Sequence, residues 1–273
     1  MGSRSSVVAL AYYALPLVAT LLHTGLGYWV YRHHWDRSGA KWFVLTLVAG
    51  GSGTLVFWIQ LLSPPGSKRP LAGLTALFAF VSYISFGVFA GRYTGTNFHR
   101  HWLAKGTFAT ILGGFVLLAV VRPPSLYVSN VRLVTDPITY YAFDVEPGLG
   151  VIYLLTYALA FYTFYRLIVY LLSTSARATW QLAFLLCASV SVVLITAASQ
   201  AGLFPAEELN HAPYATIPFN LFATLALFRF DLFDLVAAAS YRGRQAALDD
   251  LGVGVVIVTG DDRVVELNEK ARA

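Results

Sequence analysis

Seven long apolar segments constrain the fold of this chain more than any other feature of its sequence. A helix needs about 20 mostly apolar residues to cross roughly 30 Å of hydrocarbon, and seven stretches reach that length without an Asp or Glu at the centre. They cover residues 7–31, 42–62, 71–90, 102–121, 149–172, 180–200 and 212–235. Only 12% of the residues are charged, against about 25% in soluble domains. The sequence therefore predicts an all-α membrane protein, a seven-transmembrane helix bundle.

The basic residues predict how this bundle is oriented in a cell membrane. With the N-terminus outside, eleven Lys and Arg residues flank the inner side and five flank the outer side. The inner set is Arg32, Arg37, Lys41, Arg92, Arg100, Lys105, Arg166, Arg177, Arg229, Arg242 and Arg244, and the outer set is Arg4, Lys68, Arg69, Arg122 and Arg132. Because cytoplasmic loops carry the excess of Lys and Arg, we expect a multi-pass protein with a cytoplasmic C-terminus. The net charge of +5 then reflects contact with the lipid bilayer, and no nucleic-acid partner is expected.

One connection is much longer than the others and lies on the predicted outer side. Residues 122–148 contain two β-prone runs, which are separated by Asp136 and Pro137. Alternating runs split by turn residues are typical of a β-hairpin, and loops of this length are often functional. We therefore expect a small hairpin lid over the outer end of the bundle.

The C-terminal tail has a different pattern from the apolar segments. Residues 236–250 are rich in Ala and charged side chains, which predicts a helical linker that leaves the membrane. Residues 251–273 then contain two short β-branched runs around a Gly-Asp-Asp turn. Because an isolated two-stranded hairpin is marginally stable in water, we expect these residues to be the incomplete start of a larger α/β domain.

Several short motifs, taken in order, give the chain a family resemblance. They are Tyr13-Ala-Leu-Pro-Leu, Arg92-Tyr-Thr-Gly, Val131-Arg-Leu, Phe143-Asp-Val, Ala226-Leu-Phe-Arg-Phe-Asp-Leu-Phe-Asp-Leu-Val, Asp250-Leu-Gly-Val-Gly-Val-Val-Ile-Val and Arg263-Val-Val-Glu-Leu-Asn. In this order and spacing the chain resembles the N-terminal seven-helix sensor region of membrane histidine kinases, followed by the start of a PAS domain. The resemblance implies a sensor domain at 1–235, a helical linker at 236–250 and an incomplete PAS domain at 251–273.

The same resemblance implies a function in two-component signal transduction. The helices of this family perceive an external or membrane stimulus, and the linker relays it to PAS and kinase domains. The implied partners are a second copy of the chain in a homodimer, a cytoplasmic kinase domain and a response regulator. A non-kinase output joined to the same sensor stays open as an alternative.

The sequence predicts that this chain is not itself an enzyme. No histidine follows His211, so a phosphoacceptor helix is not expected within these residues. A retinal-binding pigment needs a lysine in its last span, and Lys41, Lys68, Lys105 and Lys270 all lie elsewhere. A small-solute transporter is the second alternative and would normally place ionisable residues at mid-membrane. It is less favoured because all fourteen acidic residues fall in loops, helix ends or the tail. We expect no catalytic, metal or cofactor site.

Candidate functional residues fall into two groups. The candidates for an outward-facing ligand mouth are Tyr140, Tyr141, Glu207, His211 and Asn220. The candidates for signal relay, where the seventh helix meets water, are Arg229, Asp231 and Asp234. The cluster from 207 to 211 has a plainer interpretation, which is that it caps and solvates a loop.

Two polar side chains and one glycine-rich stretch are expected to mediate helix contacts. An unpaired amide in the membrane is costly, so Asn220 needs a partner on another helix or a ligand. His23 is expected to form a hydrogen bond to a neighbouring helix. The stretch Ala49-Gly-Gly-Ser-Gly permits close backbone approach, either within one chain or at a dimer face.

Overall fold

The structure is a computed structural model that describes residues 2–173, 176–230, 232–233, 253, 256–258, 264–267 and 269–272. Because lipid offers no hydrogen-bond partners, a backbone that crosses it must satisfy its polar groups internally, and the apolar segments accordingly fold as helices. Seven long helices are present within the described ranges. They are α1 (Gly2–His34), α2 (Ala40–Leu62), α3 (Pro65–Tyr93), α4 (Trp102–Val121), α5 (Pro147–Ser173), α6 (Ala176–Gln200) and α7 (Ala212–Phe230). Short connections join most consecutive helices, and the long segment after α4 is the exception.

Six of these helices, α1 to α6, are long and apolar enough to cross a membrane. Helix α7 is not among the six, within the part of the chain that the structure describes. It contains Pro218, Asn220 and Arg229, which lower its hydropathy. Along one side, Ala215, Ala223 and Ala226 are fully buried against other helices, so α7 depends less on lipid-facing apolar side chains than its neighbours do.

Helix α4 is the most lipid-exposed of the spans and the least regular. Only 11% of the residues in its most apolar stretch are buried within the protein. Its middle, Thr110–Gly114, is a π-helical turn between two α-helical halves, the short form in which π-helix mostly occurs. Ile111 and Phe115 pack against α3 and α5, and most of the remaining surface is left for lipid.

The glycine-rich stretch of α2 is used for tight packing inside one chain. A Cβ atom on Gly50 would lie 2.6 Å from His23 Nε2, and one on Gly51 would lie 3.0 Å from His23 Cβ. A Cβ on Gly53 would lie 3.3 Å from Phe78 Cβ of α3. The prediction of close intramolecular approach is therefore confirmed, and the small residues bring α2 against both α1 and α3.

The long connection after α4 forms the predicted β-hairpin. Strand β1 (Val128–Val134) pairs antiparallel with β2 (Tyr140–Val145), from Val134 opposite Tyr140 to Val128 opposite Val145. The register shifts between Ser129 and Arg132, where Asn130 adopts a positive φ of 47°, a conformation that Asn tolerates better than most residues. We call this end of the bundle the hairpin end.

The opposite end, called the tail end, holds the largest apolar core. It joins α1, α2, α3, α5, α6 and α7. Leu232 and Phe233, which follow α7, are fully buried in this core. Their burial fixes the chain beyond α7 to the bundle that precedes it.

The tail itself is described only in part. Strand β3 (Val256–Val258) pairs antiparallel with β4 (Val264–Leu267), and the short helix α8 (Glu269–Arg272) follows. The two predicted strands therefore do form a hairpin. The predicted linker at 236–250 lies outside the described residues, and assignment of the hairpin to a PAS domain stays a prediction.

A buried lysine caps the C-terminus of α2, which the sequence analysis did not predict. Lys68 was counted among the loop residues of the outer side, but it lies in the first turns of α3 and is only 2% exposed. Its Nζ donates hydrogen bonds to the carbonyl oxygens of Gln60 and Leu61, each at 2.7 Å. Carbonyls in the last turn of a helix have no intrahelical partner, and a cation there also complements the helix dipole.

We predict that Lys68→Met lowers the thermal stability of the protein in lipid nanodiscs. Methionine keeps an apolar stem but leaves the α2 carbonyls without the ammonium, and a lost hydrogen bond to a buried charged group costs about 1.5–3 kcal/mol. The matched control is Lys105→Met, because Lys105 is exposed. Equal unfolding midpoints for the two variants would contradict the capping role.

Candidate functional site

A continuous hydrogen-bonded chain links α1 to the loop before α7 at the hairpin end. Tyr12 Oη lies 3.1 Å from His211 Nε2, and His211 Nδ1 lies 2.7 Å from Ser199 Oγ. At one end the Ala206 N–H donates to Tyr12 Oη at 3.3 Å, and at the other Ser199 Oγ donates to the Leu209 carbonyl at 3.0 Å.

The directions of these bonds assign the tautomer of His211. Because the Ser199 hydroxyl donates to a carbonyl, its oxygen accepts from Nδ1–H, and Nε2 is then free to accept from the Tyr12 hydroxyl. With this neutral imidazole, Tyr12, His211 and Ser199 each have the hydrogen-bond partners described above. The ring is only 3% exposed, and this burial lowers the pKa of His211, with a smaller opposing contribution from the Leu209 backbone.

A second contact at this end supplies a hydrogen-bond donor to a backbone carbonyl of α1 that has no donor within its own helix. Pro16 lies inside α1 and has no N–H, so the Tyr12 carbonyl loses its intrahelical donor. Tyr214 of α7 supplies the missing donor, with its Oη 3.0 Å from that carbonyl. Neighbouring helices commonly re-satisfy backbone groups that proline frees in a membrane. The hairpin end of α7 is therefore fixed to α1 twice.

The middle of the bundle contains a buried polar pair between the same two helices. Asn220 Nδ2 lies 3.0 Å from His23 Nδ1 and 2.8 Å from the Thr216 carbonyl. Asn220 is fully buried and His23 is 2% exposed. The expectation that each finds a partner on another helix is confirmed, because each is the partner of the other.

Aromatic rings join α1 and α7 again at the tail end. Trp29 and Phe228 have ring centroids 4.2 Å apart, and His34 stacks on Phe233 at 5.1 Å. Phe233 also meets Phe43 of α2 and Phe89 of α3. Of the predicted relay residues, Arg229 is exposed at this end, while Asp231 and Asp234 lie outside the described residues.

The structure brings together only some of the predicted ligand residues. Tyr140 is buried against α1, α2 and the loop at 206–209, where the Glu208 N–H bonds to its phenol and burial raises its pKa. Tyr141 is next in the strand and therefore points to the other face of the hairpin, where it lines a small cavity of about 50 Å³ with Tyr127 and Tyr153. Tyr140 and His211 thus share a cluster that does not include Tyr141.

The two other candidates are separated from this cluster in depth and exposure. Glu207 is exposed on the loop before α7, and Asn220 lies deeper, beside His23. The neighbouring Glu208 forms an ion pair with Arg132 of β1, and Arg132 Nη1 lies 3.7 Å from Asp144 Oδ1 of β2. This contact ties the hairpin to the loop that leads into α7.

Three contributors to the site were not identified from the sequence. Tyr12 and Ser199 lie in apolar helices, where a hydroxyl alone gives no signal. Phe233 lies between two aspartates that drew attention to charge. The combination of Pro16 with Tyr12 four residues earlier is the one usable signal, since it predicts an orphaned carbonyl at Tyr12.

We predict that acidification destabilises the protein in part through His211. Its pKa in the folded protein lies below the ordinary value of about 6.5, so the unfolded chain binds more protons as the pH falls through that value. The stability contribution is present above pH 6.5 and is lost on acidification. The thermal unfolding midpoint should therefore decrease as the pH is lowered from 7.5 to 5.5.

The variant His211→Gln should show a smaller fall over that range, while the control His33→Gln changes an exposed histidine and should behave as the parent does. His99 contributes in the same direction, because burial with Arg92 and Arg100 lowers its pKa. An identical pH dependence for parent and His211→Gln would contradict the neutral assignment.

Comparison with known proteins agrees with this architecture. Residues 15–236 match the family model described as the N-terminal 7TM region of histidine kinase. No curated protein matches the chain. The matched interval runs from within the first helix through α7, so it includes the hairpin and both partners of the middle and tail-end contacts between α1 and α7. Tyr12, the α1 partner at the hairpin end, precedes it. This chain belongs to the family of N-terminal 7TM regions of histidine kinases.

Proposed function

We propose that this chain is the membrane sensory input module of a two-component histidine kinase. It perceives an external or membrane stimulus and passes it through a helical linker at 236–250 to a PAS domain that begins at 251 and to a kinase output. The module itself carries no catalytic activity. Family membership supports the sensory role, and the working form is a homodimer whose kinase domain acts on a response regulator.

The proposal includes α7 as a seventh span, with the N-terminus outside and the C-terminus in the cytoplasm. Burial of α7 among other helices explains how a helix with Asn220 and two prolines can lie in the membrane. The distribution of Lys and Arg supports the orientation. It places the hairpin outside, where a stimulus arrives, and the tail end inside, where an output must be contacted.

One observation carries the relay mechanism: α1 and α7 are joined at the hairpin end, in the middle and at the tail end. The contacts are Tyr12 with His211, His23 with Asn220, and Trp29 with Phe228. A stimulus that favours a second arrangement of these contacts moves the end of α7 relative to the core that holds Phe233. Such a biased two-state equilibrium transmits a signal without any chemistry.

The candidate residues take distinct roles within this mechanism. Glu207 lies on the exposed rim at the hairpin end, where an external ligand first meets the protein. Tyr140 and His211 lie buried beneath this rim, and Tyr141 faces the neighbouring small cavity. Asn220 couples the rim to the interior through His23. Arg229, Asp231 and Asp234 set the position of α7 at the inner membrane surface.

We predict that Asn220→Leu changes the basal output when this chain is joined to its kinase output. The substitution removes the hydrogen bond to His23 in the middle of the relay. Coupling energies of about 1–3 kcal/mol change an equilibrium about 5–150-fold. Basal autophosphorylation in nanodiscs should therefore change at least about fivefold.

The control is Leu221→Ala on the same helix, at a side chain that is 53% exposed toward lipid. It should leave autophosphorylation unchanged. Both variants are first checked for folding by their unfolding midpoints. A folded Asn220→Leu protein with the basal rate and stimulus response of the parent would contradict the relay through α7.

A further inference from the structure

A mostly apolar cavity lies inside the bundle, apart from the ligand residues predicted from the sequence. Its volume is about 110 Å³, and residues of α1, α2, α3, α5, α6 and α7 line it. Asn210 and Pro213 place one side of it toward the hairpin end. None of its lining residues is Asp, Glu, Lys or Arg. A charged ligand would find no counterion there, so the occupant is uncharged.

His23 is one of the polar side chains that line this cavity. His23 and Gly50 both line it, and the ring nitrogen Nε2 faces Gly50 so closely that a Cβ there would lie 2.6 Å away. Among the described residues, no hydrogen-bond partner is present for Nε2. A buried imidazole with one unpaired nitrogen beside a cavity is a site for a polar ligand group.

The hydroxyl groups around the cavity are mostly committed as donors. Thr163 Oγ1 donates to the Leu159 carbonyl at 2.8 Å, and Ser189 Oγ donates to the Leu185 carbonyl at 2.6 Å. Their oxygens keep acceptor capacity. Thr75 Oγ1 is buried and has no partner in the part of the chain described. The lining therefore offers several acceptors to a ligand that can donate.

The other ring nitrogen of His23, Nδ1, has two competing hydrogen-bond partners, and the tautomer of the ring decides which of them it binds. Nδ1 lies 2.9 Å from the Ala19 carbonyl and 3.0 Å from Asn220 Nδ2. The first contact needs a proton on Nδ1 and the second needs a lone pair there, so a neutral ring satisfies only one of them. The proton is on Nε2 when Nδ1 accepts from Asn220, and on Nδ1 when it donates to Ala19.

We propose that this cavity binds a small uncharged compound with a hydroxyl group, such as a short alcohol or a phenol. Its apolar part fills the cavity, whose volume is close to the roughly 150 Å³ that holds benzene in an engineered protein cavity. Its O–H donates to His23 Nε2 and selects the tautomer that donates to Ala19. Asn220 then loses its acceptor on α1. The inference rests on the proposed sensory function and names the ligand class.

The test measures binding of phenol and of benzene to the 273-residue chain in nanodiscs, with empty nanodiscs subtracted for partition into lipid. The two probes share a ring and differ in the hydroxyl. One hydrogen bond of about 1.4 kcal/mol corresponds to a tenfold difference in affinity. We expect saturable binding of phenol, at least tenfold tighter than that of benzene.

Two variants of His23 separate its nitrogens. In His23→Asn the polar atoms lie near the position of Nδ1, and in His23→Gln they reach the position of Nε2. His23→Asn should abolish the preference for phenol, whereas His23→Gln should retain most of it. A third variant, Ala79→Leu, fills the cavity from α3 and should weaken the binding of phenol and of benzene equally.

Three results would overturn the proposal. The first is the absence of saturable phenol binding above that of empty nanodiscs, which means that the cavity holds water only. The second is equal affinity for phenol and benzene. The third is an undiminished preference for phenol in folded His23→Asn. None of these results depends on a kinase output. If Asn220→Leu changes autophosphorylation and Leu221→Ala does not, the sensory function stands even where the ligand class fails.

Discussion

A polar group that enters lipid must find its partner inside the protein, and this requirement organises the bundle around α7. Pro16 leaves a carbonyl of α1 without a donor, and Tyr214 supplies one. His23 and Asn220 form a hydrogen bond with each other in the middle. Each solution pairs α1 with α7, although the two helices are at opposite ends of the membrane domain in sequence. Polar groups therefore help to close the bundle, together with the apolar core at the tail end, because lipid offers these groups no partner.

This arrangement gives α7 properties that suit a relay. Its neighbours present apolar faces to lipid, and α4 is buried over only 11% of its most apolar window. One face of α7 contacts protein along its length, with Ala215, Ala223 and Ala226 fully buried, and the buried side chains of Leu232 and Phe233 follow the helix. A displacement at the hairpin end therefore meets packed side chains at every level, and tightly packed elements move between discrete arrangements rather than deforming smoothly.

Sequence reasoning recovered the features that are encoded locally. Six spans, the hairpin and the close approach of the α2 glycines follow from apolar length, turn residues and residue size. The seventh span is the ambiguous one, because its polar residues are explained only by tertiary burial. The capping role of Lys68 was missed for the same reason. The opposite faces of Tyr140 and Tyr141 follow from the alternation of side chains along the predicted strand, which was not applied when both were grouped at one ligand mouth.

The orientation of the chain is the premise on which the sensory account depends, and thiol labelling in intact cells tests it directly. The one native cysteine is replaced by Cys187→Ser, and single cysteines are introduced by Thr135→Cys in the hairpin or by Arg242→Cys in the tail. The account predicts that a membrane-impermeant maleimide labels position 135 in intact cells and position 242 only after permeabilisation. Labelling of position 242 from outside the cell would contradict it.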